Sequence, residues 1–171
     1  MTTKIVSRRQ IREKVLQILY AHEMTKDPIN PIIADQLTEV EDREIENFAR
    51  KLIKHTLEDN EEYEKLILAT VKNWDMERIA ILDSIIIKMS LSEFFHFPEI
   101  PTKVTINECI DLAKNFSTKN SGKFVNGVVD ALLIKLEKDN IIKKKGKGLI
   151  TETKHQENGK KKPKTKVKEK V

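Results

Sequence analysis

A chain of 171 residues is long enough for one domain with a proper core and short for two. Charged residues make up 35% of it and aromatics 5%, so a mostly aliphatic core under a well-solvated surface is expected. A single cysteine, Cys109, excludes an internal disulfide framework; the N-terminal stretch lacks a signal-peptide core, and Asp83, Lys88 and Glu93 break the apolar run 79–97 too often for a membrane span, which together point to the cytoplasm.

The net charge of +5 is unevenly held. Residues 141–171 carry 12 Lys and 3 Glu, or +9, which leaves −4 on the remaining 140 residues. Within those, Lys4, Arg8, Arg9, Arg12 and Lys14 crowd one end, whereas 35–64 holds 11 acidic against 4 basic residues. Such segregation suggests one face for a polyanion and another that excludes it.

Ser7-Arg8-Arg9-Gln10 has the form of a capping box, and Ile11, Val15, Ile18 and Leu19 continue as an amphipathic stripe to about Met24. Asp27-Pro28-Ile29-Asn30-Pro31 predicts a helix break, followed by a connector to about Asp42. Ile45, Phe48, Ala49, Leu52 and Ile53 restart the helical period as far as Leu57. After Glu58-Asp59-Asn60, a further helix carries Tyr63, Leu66, Ile67 and Val71 to the neighbourhood of Trp74. Asp75 is placed to cap the next, from Met76 to about His96, whose apolar residues cover most of its circumference, as in a helix at the centre of a bundle. Pro98 and Pro101 end it. Ile106, Cys109, Ile110, Ala113 and Phe116, then Val125, Val128, Val129, Leu132 and Leu136, mark two more helices about a polar turn, Ser117 to Gly122.

No run alternates with the two-residue period of a strand, and no glycine precedes Gly122. The predicted fold is all-α: a single-domain bundle of six or seven helices over 1–140, with 141–171 a lysine-rich disordered tail.

Catalytic signals are absent from the sequence. His22, His55, His96 and His155 fall in different segments, and none pairs with Cys109 or another His at metal-ligand spacing. Cys109 lies on a core stripe, the acidic run Glu58 to Glu64 lacks the order of a calcium loop, and no glycine-rich phosphate loop exists. A binding protein is expected, with no catalytic residue, cofactor or metal.

Two clusters suggest what it binds. Arg8, Arg9 and Arg12 fall in the first turns of a helix, where each opposes the macrodipole by a few tenths of a kcal/mol, so a role other than stability is suggested. Lys114, Lys119 and Lys123 bracket the start of the last helix, where Ser, Thr and Asn offer capping oxygens and backbone donors favour a phosphate. A solvated charge cluster and a capped helix corner are the plain alternatives.

The run Ile106-Asn107-Glu108, Ile110, Leu112-Ala113-Lys114 and Phe116, continued by Ser121, Lys123-Phe124-Val125-Asn126-Gly127-Val128 and Asp130, resembles the signature of the NusB family of bacterial transcription antitermination factors. The opening Arg8, Arg9, Arg12, Glu13, Leu19 and Tyr20 resembles it too, and the likeness covers roughly Ser7 to Leu136. It implies a helical domain that binds a single-stranded boxA element of ribosomal RNA leader transcripts together with the ribosomal protein NusE, within an antitermination complex on RNA polymerase. On that reading Arg8, Arg9, Arg12, Lys114 and Lys123 meet phosphates, and Tyr20, Phe124, Asn120, Ser121 and Asn126 meet bases. Glu93 matches by position a glutamate that faces the partner. The RNA-targeting domain of a ribosomal RNA cytosine methyltransferase and a protein-only helical adaptor stay open beside it.

Overall fold

The structure is a computed structural model that describes residues 6–72 and 75–149. Ser7 starts the first helix as a capping box: Ser7 Oγ accepts the Gln10 N–H at 3.2 Å, and Gln10 Oε1 accepts the Ser7 N–H at 2.9 Å. Helix α1 (Arg8–Thr25) then buries Ile11, Val15, Ile18 and Leu19.

The two prolines start a helix rather than exclude one. Pro28 is the N-cap of α2 (Ile29–Gln36), and Pro31 falls in its first turn, where an amide donor has no preceding carbonyl to meet. A connector was expected across this stretch. Helix α3 (Arg43–Glu58) is capped by Asp42, whose Oδ1 accepts the Glu44 N–H at 2.8 Å, and α4 (Asn60–Thr70) comes directly after Asp59.

The predicted helix from Met76 is shorter than expected. Met76–Arg78 form a single 3-10 turn, and Asp75 makes no side-chain cap. Ile79 and Ala80 are extended, with ψ 127° and 137°, which turns Ile79 into the core before α5 (Ile81–His96) begins. The predicted end near Trp74 lies outside the described residues. Helix α5 is buried from Asp83 to Leu91 without selecting a face apart from half-buried Lys88, because α1, α3, α4, α6 and α7 surround it. Helices α6 (Thr102–Phe116) and α7 (Ser121–Lys138) pair as an antiparallel hairpin against it. Among the described residues there is no strand, and no helix is long and apolar enough to cross a membrane.

Helix α7 ends on Asn140 in the left-handed region, φ 54°. The Ile141 N–H donates to Leu136 O and the Asn140 N–H to Glu137 O, both at 3.0 Å, the pairing of a Schellman motif. That reversal sends 141–149 back over the end of α5. The Lys144 ammonium donates to Glu93 O at 3.1 Å and Phe97 O at 3.0 Å, a second hydrogen bond for carbonyls that already accept the Phe97 and Ile100 N–H groups. Gly148 fits where a Cβ would stand 1.9 Å from Pro98 O. The domain boundary expected at 140 is thus too early: residues 141–149 belong to the folded body. The remainder of the expected tail, 150–171, lies outside the described residues.

Candidate nucleic-acid interface

The N-terminal arginines separate into two environments. Arg9 is exposed and reaches across to α6, with Nη2 3.1 Å from Glu108 Oε1 and 2.8 Å from Asp111 Oδ2. The hydrogen bond and charge of Glu108, with Asp111 behind it, hold its guanidinium above the ordinary arginine range. Arg8 is exposed as well, its guanidinium 5.0 Å from the centre of the Phe48 ring.

Arg12 points inward. Its Nε meets Glu93 Oε1 at 2.5 Å and its Nη2 meets Glu93 Oε2 at 3.1 Å, a bidentate pair in which both side chains are nearly inaccessible. Nη1 donates to Arg8 O at 3.3 Å, and Thr105 Oγ1 donates to Glu93 Oε2 at 2.7 Å. Burial opposes the charge on Arg12, but the hydrogen bond and charge of Glu93 outweigh it and keep the guanidinium protonated. Two expectations are corrected here: Arg12 does not present itself to a phosphate, and Glu93 does not present itself to a partner. Both charges neutralise each other where α1, α5 and α6 meet.

The pairing had a signal in the sequence. Arg12 stands at three, four and seven residues before Val15, Leu16 and Leu19, squarely on the apolar stripe of α1. Glu93 stands four residues after Met89 and seven after Ile86 in a helix buried all round. A charge on each of two core stripes, opposite in sign, indicates an internal pair.

At the other cluster, Ser121 is the first residue of α7 and is buried. Its Oγ donates to Asp83 Oδ2 at 2.8 Å and accepts the Thr118 N–H at 3.1 Å. The negative charge expected at this helix start is therefore supplied from within, by the carboxylate of Asp83, and Ser121 is a structural link rather than a base contact. Asn120 occupies the N-cap position but makes no side-chain cap, which corrects the expected capping role and leaves its exposed amide free of that duty.

Lys114, Lys119 and Lys123 remain exposed around the turn. The stem of Lys114 lies over Gly122, where an added Cβ would come within 2.8 Å of its Cγ. Lys114 also stands three residues beyond Asp111, about 4.5 Å along α6. Asp111, a partner of Arg9, and Lys114 thus lie within one turn of each other on α6, with Lys119 in the turn that follows and Lys123 in the first turn of α7. Phe124 is half-buried and lines a shallow groove of about 340 Å³ with Lys123, Gly127, Ala131, Thr70 and Val71. Asn126 is exposed one turn into α7, and Tyr20 is exposed about three turns along α1 from Arg9. The contribution of α4 to the groove had no local signal in the sequence.

The histidines set apart in the sequence are not all apart in space. His55 and His96 stack beside Asp59. Burial and the neighbouring His96 ring push His55 below the ordinary imidazole range. Cys109 is buried, and burial drives its thiol far upward, which removes any nucleophilic role at neutral pH.

Residues 9–133 match the model of the NusB family. A transcription antitermination protein NusB from Salinibacter ruber is 38% identical over 148 residues, covering 84% of this chain and 91% of its own. The structure of T. maritima NusB superposes with a TM-score of 0.71 at 31% identity, over 75% of this chain and 92% of that one. A structure of NusB and NusE in complex with double-stranded RNA gives a TM-score of 0.68 at 18% identity, over 75% of this chain and 96% of that one, a likeness of fold. The match runs from the exposed arginine of α1 through the buried Arg12–Glu93 pair to the inner face of α7, and the chain belongs to the NusB family.

Proposed function

We propose that this chain is a transcription antitermination factor that binds single-stranded, boxA-type RNA with NusE, as part of an antitermination complex on RNA polymerase in the cytoplasm. The observation that carries the site is the strip on α6: Glu108 and Asp111 hold Arg9 beside the corner where Lys114, Lys119 and Lys123 stand exposed. The relative from Salinibacter ruber, an antitermination protein by name, is matched over nearly its whole length, and a structure of the same fold holds NusE and RNA.

The chemistry suits a flexible single strand. Surface ion pairs such as Arg9 with Glu108 contribute little to stability, so a phosphate can take the guanidinium over at small cost. Arg8, Arg9, Lys114 and Lys123 then neutralise the backbone, while Phe124 at its groove offers a ring for a base and Asn120 and Asn126 offer amides to base edges. Tyr20, farther along α1, extends the same surface. Arg12, Glu93 and Ser121 hold this surface in place from beneath.

Titration of the full chain with a labelled boxA-type RNA and a scrambled RNA, each with and without NusE, tests the reading. Preference for boxA, strengthened by NusE, is expected. A protein-only adaptor would show neither affinity for RNA nor a dependence on salt.

A further inference from the structure

The last turn of α3, its C-cap and the end of α5 converge on three potential ligands: His55, Asp59 four residues later, and His96, the final residue of α5. The His55 and His96 rings stack with centroids 3.7 Å apart and planes within 4°. His96 Nε2 lies 2.7 Å from Asp59 Oδ2, and one ligating atom from each of the three residues falls within 4.8 Å of the other two. All three side chains are half-buried, so solvent reaches the cluster from one side.

We propose that His55, Asp59 and His96 form a surface site for a borderline divalent transition-metal ion, of which Zn²⁺ is the first choice. Two imidazoles and a carboxylate are the donor set such ions prefer, and one or two waters complete the shell from the open side. Ligands on bonds of about 2.0–2.1 Å must sit somewhat farther apart than the present 2.7 Å contact and nearer than 4.8 Å. The required adjustment is small: the ion replaces the proton shared by His96 Nε2 and Asp59 Oδ2, and the two rings open from parallel so that their lone pairs converge. That proton leaves to solvent.

The surroundings are built to hold the ligands. The Tyr63 hydroxyl donates to Asp59 Oδ2 at 3.1 Å and stays as an orienting bond behind the carboxylate. Glu58 Oε2 stands 3.9 Å from His55 Nδ1 and adds negative charge at the rim. Of the nearby cations, Lys51 is held by His96 O at 2.6 Å and by the Phe97 ring, though its charge still reaches His55, and Lys54 stands 3.8 Å from Glu58 Oε1. Occupancy ties the α3–α4 junction to the end of α5 and stabilises the bundle.

The experiment titrates the full-length protein with Zn²⁺ in competition with a chromophoric chelator, alongside Co²⁺ absorption, Mg²⁺ as a control and melting curves. One Zn²⁺ per chain, a visible Co²⁺ band, a raised Tm and no response to Mg²⁺ are expected. His96→Gln and His55→Gln should each lower affinity at least ~10-fold, the low end of what losing even an outer partner of a ligand typically costs. A His22→Gln/His155→Gln variant should bind as the parent does. Binding that is absent, or equal in parent, His55→Gln and His96→Gln, overturns the site. Should either variant fail to fold by circular dichroism, imidazole nitrogen NMR of the parent decides: Zn²⁺ must shift His55 and His96 and leave His22 and His155 in place.

Discussion

At the rim of the bundle Arg9 holds Glu108 and Asp111 in open water; one turn inward, Arg12 holds Glu93 away from it. The two arginines come from one basic motif and one helix, yet the Arg9 side chain is 55% exposed and that of Arg12 4%. At the rim, ion pairing is weak and exchangeable, which is what a binding surface for a polyanion needs. In the interior, the same chemistry is a structural commitment, since either charge alone would be stranded in a low dielectric. A basic motif therefore does not act as one unit: its helical phase decides which members can meet a ligand.

The sharpest way to break this contrast is to remove one member of the interior pair. Arg12→Ala or Glu93→Ala should destabilise by about 3–5 kcal/mol in urea unfolding, whereas replacing both with apolar residues of similar volume should recover most of that loss. Arg12→Lys should recover little, because a lysine cannot reproduce the bidentate fork. Full stability in Arg12→Ala would show that the pair is not sealed from water. For the same reason Glu93→Lys should lower stability as Glu93→Ala does, and its effect on partner binding should follow that loss.

A smaller effect separates the folded segment 141–149 from residues 150–171. Truncation after Asn140 removes the Lys144 ammonium from Glu93 O and Phe97 O, and should cost about 1.5–3 kcal/mol, the range for hydrogen bonds made by a charged group. Truncation after Leu149 should leave the melting temperature unchanged. It should also weaken boxA-type and scrambled RNA by similar factors, because residues 150–171 hold lysines and no Phe, Tyr or Trp with which to stack on a base. A lost preference for boxA would show that the tail reads sequence.

Among the charge substitutions, the smallest stability change belongs to the rim. Arg9→Ala should leave the unfolding midpoint close to the parent's, since it removes only exposed pairs. A loss comparable to that of Arg12→Ala would erase the distinction between the two environments.

Much of the helical framework was legible because the apolar spacing is regular. The Ser7–Gln10 box, the central placement of α5 and the α6–α7 hairpin arise from local pattern. The exceptions have physical causes. Helix α2 hides behind Pro28 and Pro31, which read as breakers until one sees that both lie where a helix needs no donor. The start of α5 is set by the extended pair Ile79 and Ala80, a tertiary choice that buries Ile79. Lys144 looked like one tail lysine among many, since only the Schellman turn at Asn140 brings it over α5. The candidate site was half legible. Exposed Arg8, Arg9, Lys114 and Lys123 could be inferred from charge, but Ser121 could not be told from a base contact without Asp83, its partner 38 residues upstream. His55 and His96 meet only through the packing of α3 on α5.

The most direct test of the rim as an RNA surface is the salt dependence of boxA-type RNA binding in the Arg8→Ala/Arg9→Ala variant, with helical content followed by circular dichroism. Affinity should fall, and the log–log salt slope should flatten by roughly 0.7 for each phosphate left without its arginine, while the helical signal and the melting curve stay close to the parent's. Parent-like affinity at low salt with an unchanged slope would contradict the account and show that the exposed arginines of α1 do not touch RNA.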